Sequence, residues 1–188
     1  MNAVVTKEKS FLQKKYLGEV RPFLSEKHKI GNPHCVPYIE KIVVAMRFGK
    51  DGGDKKAIEA AISELMLITG QKPAISVAKK SISGFKLREG QTSGAYCTLR
   101  KTMAYEFLER LTYLALPRIR DFRGYSSKSF DKGMNLSIGI KEHLVFQELN
   151  YDLIHKSRGL DITIVIKNAT TKQMAIDLLR KLNFPIKN

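Results

Sequence analysis

Apolar positions recur at helical spacing in four stretches of the chain. From about Thr6 to Leu24 the residues Phe11, Leu12, Tyr16, Val20 and Phe23 fall on one broad face, with Lys7, Lys9, Lys14 and Lys15 opposite. Pro22 and the run Gly31-Asn-Pro33 are expected to end that helix and open a loop. A second helix is predicted over Lys55–Ile68, with Asp54 as N-cap, Ile58, Ile62, Leu65 and Met66 inward, and Gly70 as the stop. A third spans Met103–Leu116 and turns Met103, Phe107, Leu111 and Leu114 inward until Pro117. The last runs from Thr171 to Leu182 with Met174, Leu178, Leu179 and Leu182 inward.

Alternating stretches lie between these helices. Ile39–Phe48 predicts a strand with apolar residues on both sides, which implies burial on both faces or a partner against one of them. Pro73–Ala78, Tyr96–Lys101, Asn135–Lys141 and Leu160–Ile166 predict further strands, the last alternating Ile162, Ile164 and Ile166 with Asp161, Thr163 and Val165. Long helices interleaved with non-adjacent short strands imply an α+β fold. The expected form is one mainly antiparallel sheet with helices packed on one face, plus a long basic hairpin loop between the second and third strands. No internal repeat or low-complexity tail interrupts it, so residues 1–188 are expected to form a single domain with an N-terminal helical arm over about 1–33.

Charge narrows the function. The 188 residues hold 33 Lys+Arg against 18 Asp+Glu, a net charge of +15. A folded domain that basic calls for a polyanion, because its own charges otherwise repel one another. Between Glu64 and Glu106 the only acid is Glu89, against Lys72, Lys79, Lys80, Lys86, Arg88, Arg100 and Lys101. Four of these, with Phe85 and Gly84, Gly90 and Gly94, belong to the predicted hairpin loop or its edge. Glycine lets backbone approach a phosphate, and loop lysines supply charge without fixed geometry. Arg118, Arg120 and Arg123 follow Pro117 closely, and the guanidinium fork matches phosphate oxygens. Phe122 and Tyr125 beside them offer flat faces for base stacking.

Several passages together resemble one family. Ala115-Leu-Pro-Arg-Ile-Arg-Asp-Phe-Arg-Gly124, Lys128-Ser-Phe-Asp131 and Arg158-Gly-Leu-Asp-Ile-Thr-Ile164 look like signatures of the universal large-subunit ribosomal protein five, in its bacterial-type form. Ile68-Thr-Gly-Gln-Lys-Pro73 and Ala78-Lys-Lys-Ser-Ile-Ser-Gly-Phe-Lys-Leu-Arg88 resemble it in the expected order. The likeness runs from about Val36 to Pro185. It implies a structural constituent of the large ribosomal subunit that binds 5S ribosomal RNA in the central protuberance. Met46, Arg47, Gln71, Lys72, Thr98 and Arg100, with Lys14 and Lys15 of the arm, are the implied ribosomal-RNA contacts. Lys79, Lys80, Ser81, Phe85, Lys86 and Arg88 would reach peptidyl-site transfer RNA. Arg118, Arg120 and Arg123, with Lys128 peripheral to them, would face RNA or a small-subunit protein across an intersubunit bridge. Other central-protuberance proteins are expected neighbours, and a membrane is not.

The first strand departs from the family pattern. Where the family carries Asn-Met-Gly-x-Gly, this chain has Ala45-Met-Arg-Phe-Gly49. The asparagine amide is lost, and Arg47 stands where a glycine allowed closer backbone approach. Together with the Lys/Ile-rich composition this points to a mitochondrial ribosome in preference to a bacterial cytoplasm. There the RNA partner could be another ribosomal RNA in place of a standard 5S RNA.

Catalytic readings find no support. There is no Gly-x-x-x-x-Gly-Lys-Ser/Thr and no Gly-x-Gly-x-x-Gly. His34-Cys35 lacks metal-ligand spacing, and Cys35 and Cys97 are expected to be reduced, partly buried thiols. His28, His143 and His155 read as surface or packing residues. Ser126, Ser127 and Ser129 lack a nucleophile elbow, and Asp121 reads as an ion-pair partner of the adjacent arginines. Neither a cofactor nor a metal is expected. No run approaches the ~20 apolar residues of a membrane span. The start has no signal-peptide core, and with Glu8 and no Arg before Arg21 it does not read as an Arg-rich transit peptide.

Overall fold

The isoleucine alternation at the end of the chain becomes a strand. A computed structural model describes residues 9–49, 53–85, 87–150, 154 and 156–187. In it β5 (Leu160–Lys167) buries Leu160, Ile162, Ile164 and Ile166 and leaves Asp161 and Lys167 exposed. With β1 (Tyr38–Arg47), β2 (Ala74–Val77), β3 (Thr92–Arg100) and β4 (Leu136–Ile140) it forms a five-stranded sheet in the order β2-β3-β1-β5-β4. The helices α1 (Phe11–Lys15), α2 (Arg21–Lys27), α3 (Lys55–Thr69), α4 (Thr102–Arg110) and α5 (Lys172–Lys181) complete an α+β fold. The described residues divide into two compact units: those within 9–41, 100–136 and 164–187 form one, and those within 42–99 and 137–163 the other.

In the first unit, α1 and α2 are joined by a π-helical turn, Tyr16–Val20, so Pro22 does not end the helix as expected. Proline lacks an N–H and its ring crowds the carbonyl four residues back. The widened turn relieves that crowding: the Arg21 N–H reaches back five residues to the Tyr16 carbonyl. The same device precedes Pro117. Leu111–Ala115 is π-helical, the Leu116 N–H bonds the Leu111 carbonyl, and Pro117 sits in a 3₁₀ turn, Leu116–Arg118. The buried stripe of the arm is Leu12, Tyr16, Val20 and Leu24, an i, i+4 ladder. Phe11 is 59% exposed, and on α4 the buried positions are Ala104, Tyr105, Phe107 and Leu108, while Leu114 beyond it is half-exposed. Tyr16 donates its hydroxyl to the Pro37 carbonyl at 2.9 Å and is tilted against Tyr105. Burial pushes its phenol up to about 12.

Thr171 caps α5 through its side chain, and Leu178, Leu179 and Leu182 are fully buried. On the same helix Asp177 is buried. Its carboxylate meets Lys27 Nζ at 2.7 Å and His28 Nε2 at 3.1 Å, and accepts from Gln173 at 3.2 Å. Burial pushes its pKa up, but the Lys27 hydrogen bond and charge, with Gln173 and His28, outweigh it and hold the group below its ordinary value.

In the second unit, Asp54 accepts from the Lys56 N–H at 3.0 Å to start α3, and Gly70 ends it at φ 68°. Met66, expected inward, is 49% exposed, and Glu64 takes a buried position instead. The periodicity is compatible with either face, and what selects Glu64 is a cation. Arg158 donates to Glu64 Oε2 at 3.2 Å and to the Ala57 carbonyl at 3.4 Å. The Arg158 N–H lies 3.0 Å from His143 Nδ1 and the Arg158 carbonyl oxygen 3.1 Å from the same nitrogen, so the Arg158 backbone holds that side of the ring and turns Nε2 the other way. That nitrogen faces Glu64 Oε2 at 3.2 Å in a geometry that does not complete a hydrogen bond. Strands β2 and β3 pair antiparallel, with Ala74 opposite Tyr96 and Ser76 opposite Gly94. Gly94 is needed there, since a Cβ would lie 2.6 Å from the Met46 carbonyl oxygen. It therefore serves strand packing, not phosphate approach. Cys97 is buried, and burial raises its thiol pKa against an opposing Thr69 hydrogen bond. Cys35 is exposed, contrary to the expectation for it.

Replacing Arg158 by Met strands the buried Glu64 carboxylate, and urea unfolding is expected to show a loss of about 3–5 kcal/mol. Adding Glu64→Leu to that variant should recover most of it, because a matched apolar pair leaves no buried charge. Asp177 predicts the acid limb. A depressed folded pKa contributes stability that is present above the unfolded value of about 4 and is lost as pH falls through the lower folded value. Thermal melts of Asp177→Asn should show lower stability near neutrality and a flatter fall below about pH 4 than the parent chain.

Candidate nucleic-acid interface

The segment between β2 and β3 is held by its own backbone. The Ala78 N–H bonds Gln91 O at 2.9 Å, the Gly90 N–H bonds Ala78 O at 3.0 Å, and Ile82 and Leu87 exchange both hydrogen bonds at 2.9 and 3.1 Å. A 3₁₀ turn, Ser83–Phe85, forms the tip, and Gly90 takes φ 78°. Closed by these cross-strand hydrogen bonds, the hairpin projects Lys79, Lys80, Ser81 and Arg88 into solvent. Ser81 Oγ accepts from the Glu89 N–H at 2.9 Å, which ties the two sides of the hairpin together. Lys86 and the Phe85 side chain lie outside the described residues.

The strand-face residues behave unequally. Gln71 and Lys72 are exposed, and Thr98 is half-buried. The β2–β3 register continued outward places Lys72 opposite Thr98. Arg47 is exposed, and its Nε lies 3.4 Å from the exposed Asp161 carboxylate. A pair that open to water is worth about 0–1 kcal/mol, so a phosphate can compete for the guanidinium. Met46 is a correction: its side chain is 1% exposed, packed in the core, and offers RNA no contact. The alternation decides this, since Ile42, Val44 and Met46 share the core face while Val43 and Ala45 are partly open. Lys14, Lys15 and Arg100 belong to the other unit. There Lys14 and Arg100 are exposed, and Lys15 Nζ donates to Asn183 Oδ1 at 3.0 Å.

The arginine loop is displayed by an aromatic clamp. Tyr125 stacks on Phe184 with centroids 5.8 Å apart and planes 13° apart, and Phe122 meets Tyr125 edge-on at 5.4 Å. The Tyr125 N–H bonds Pro185 O at 3.0 Å, and the Lys187 N–H bonds Tyr125 O at 2.8 Å. Gly124 at φ 83° lets the two segments close. These rings, expected to stack on bases, are instead engaged within the protein, and burial pushes the Tyr125 phenol up to about 12. The clamp leaves Arg118, Arg120, Arg123 and Lys128 on one tethered loop at the surface. Asp121, read as an ion-pair partner, sits at φ 53° and serves the turn itself.

Sequence reasoning passed over a groove of about 640 Å³ in the first unit, lined in part by Arg21, Tyr38, Glu40, Lys101, Lys167 and Asn168. Lys101 holds φ 51° there. Its place in the base-rich run was the one available signal, because Arg21 and Lys167 are brought near only by the fold. Among the described residues, no group of three or more His, Cys, Asp or Glu is arranged to hold a metal ion. No described helix is long and apolar enough to cross a membrane.

Comparison with known proteins gives two family matches along the chain. Residues 32–88 match the model of ribosomal protein L5, and residues 92–186 match the model of the C-terminus of the same ribosomal family. The chain is 48% identical over 174 residues to the large ribosomal subunit protein uL5 of Pelagibacter ubique (strain HTCC1062), covering 93% of this chain and 94% of that protein. It is equally similar, 48% over 174 residues, to the protein of the same name from Clostridium perfringens (strain SM101 / Type A), covering 93% of this chain and 97% of that protein.

Because Lys79 and Lys80 are exposed on a backbone-locked hairpin, K79A/K80A should leave the melting curve unchanged. Filter binding to RNA across a salt series should then show the slope of log K against log salt shallower by about 1.4–1.8, two contacts' worth. An unchanged slope would remove both lysines from the interface.

Proposed function

The chain belongs to the ribosomal protein L5 family and is a structural, non-enzymatic constituent of the large ribosomal subunit, and on that premise we propose that it binds 5S ribosomal RNA. In the same reading the β2–β3 hairpin touches peptidyl-site transfer RNA, and the Arg118–Arg123 loop meets a small-subunit protein or RNA at an intersubunit bridge. Neighbouring central-protuberance proteins and large-subunit ribosomal RNA complete the set of partners. The observation that carries this reading is the backbone-closed hairpin presenting Lys79, Lys80 and Arg88 to solvent. A rigid element of that kind places charge with little ordering cost on binding.

Binding here is phosphate neutralisation for affinity, with shape and hydrogen bonding for placement. Arg47, Lys72, Gln71 and Thr98 supply the strand-face contacts, and Lys14, Lys15 and Arg100 those of the other unit. The Ala45/Arg47 departure favours a second reading, a different ribosomal RNA at the same place in a mitochondrial ribosome. That reading rests on sequence alone, and the relatives compared above are bacterial.

Titrating the purified chain with 5S RNA from its own source decides between them. Selective binding over an unrelated RNA, weakening with salt in proportion to the phosphates contacted, supports the 5S reading. Equal affinity for both RNAs overturns it and leaves the other-RNA reading standing.

A further inference from the structure

The groove of about 640 Å³ in the first unit is built largely from strand ends, and its volume suits a ligand of small-molecule size. Tyr38 and Glu40 of β1 line it, together with Lys101, which follows β3, and Lys167, which ends β5. In the sheet β1 lies between β3 and β5, so each neighbouring strand brings one cation. Arg21 adds a third and is fixed by donating to the Pro33 carbonyl at 2.9 Å. Lys101 and Lys167 are exposed, and among the described residues neither they nor Glu40 has an ion-pair partner. In the groove wall the Gln13 side-chain oxygen is buried and finds no hydrogen-bond partner among the described residues.

Lys101 carries a further signal. Its backbone holds φ 51° and ψ −130°, a region that glycine occupies freely and lysine only under strain. Glycine would serve the turn better, so what the lysine adds is its charge beside the groove.

These groups together select the occupant. An acidic peptide would answer the cations alone, with nothing flat for the Tyr38 ring and no paired donors for Glu40. A nucleotide would answer all of them, with phosphate for the lysines, a base along Tyr38 and edge donors for Glu40 and Gln13. The choice of base follows from Glu40. A carboxylate accepts two parallel hydrogen bonds, and guanine presents N1–H and N2–H side by side, whereas uracil presents a single N3–H. In a base pair both guanine donors are already engaged. We propose that this groove holds one unpaired guanine nucleotide of ribosomal RNA, with Glu40 on its base edge and Lys101 and Lys167 on its phosphates. The inference rests on the RNA-binding reading but on no particular RNA, since none of the residues assigned to 5S or transfer RNA lines the groove.

The test uses assembled large subunits carrying the full chain. Position 17 is on the groove wall, where Leu17 is 40% exposed, and takes the photoreactive residue p-benzoylphenylalanine. Irradiation is expected to give a crosslink to one unpaired guanine. Kethoxal, which modifies unpaired guanines at N1 and N2, should spare that nucleotide in parent subunits. In E40Q subunits it should react at least about fivefold faster, the low end for losing a bidentate base contact. K101G should expose the same guanine while leaving the melting temperature of the purified chain equal or higher, because glycine relieves the backbone. A crosslink to protein, to paired RNA or to another base, or no crosslink at all, overturns the inference. So does protection indifferent to E40Q, or a K101G chain that melts lower. Selective 5S binding without the crosslink sinks this inference alone. Non-selective 5S binding with a guanine crosslink elsewhere in ribosomal RNA sinks only the 5S reading.

Discussion

A carboxylate on the buried face of α3 is the constraint around which the second unit is arranged. Glu64 is tolerable in an apolar interior only because Arg158 meets it at 3.2 Å. Placing that guanidinium requires the chain before β5 to arrive at a particular point. The backbone of Arg158 then fixes His143 through Nδ1, and the His143 N–H in turn donates to the Arg158 carbonyl at 2.9 Å. The two ends of the connection between β4 and β5 are therefore tied to each other and to a helix. Such a network adds little net stability beyond an apolar replacement, but breaking one member is costly. Its consequence is positional: β5 starts where its isoleucines meet the core.

Cations are displayed by a different principle. The hairpin after β2 is closed by its own cross-strand hydrogen bonds, and the arginine loop is fastened by Tyr125 against Phe184. In both, apolar and backbone interactions provide rigidity, and the charged ends remain in water. A phosphate that binds there displaces solvent or, at Arg47, a weak exposed pair with Asp161. Little ordering would remain to be done for a polyanion that bound there.

Much of the fold was legible because periodicity and punctuation agree. The Asp54 cap, the Gly70 stop and the isoleucines of β5 lie where local chemistry requires them. Pro22 was misleading for a local reason: proline ordinarily breaks a helix, and only the π turn before it lets the chain continue. Pro117 does end its helix, since the 3₁₀ turn Leu116–Arg118 is followed by Ile119 in extended conformation. The candidate site was legible in its lysines and arginines, since long charged side chains on loops have nowhere to be but water. It was not legible in Met46, Phe122 and Tyr125, where the same residue types suit either a core or an RNA surface.

The sequence by itself determined the class of fold and the family, because these follow from spacing and ordered motifs, and its net charge set the expectation of a polyanionic partner. Only the tertiary structure decided that Glu64 faces inward and Met66 outward, that the loop aromatics close on Phe184, and that Lys101 and Lys167 line one groove. The physical reason is the range of the interactions involved. Capping, alternation and charge act within a few residues, whereas a buried ion pair between residues 64 and 158, or a ring stack between 125 and 184, exists only once distant segments meet.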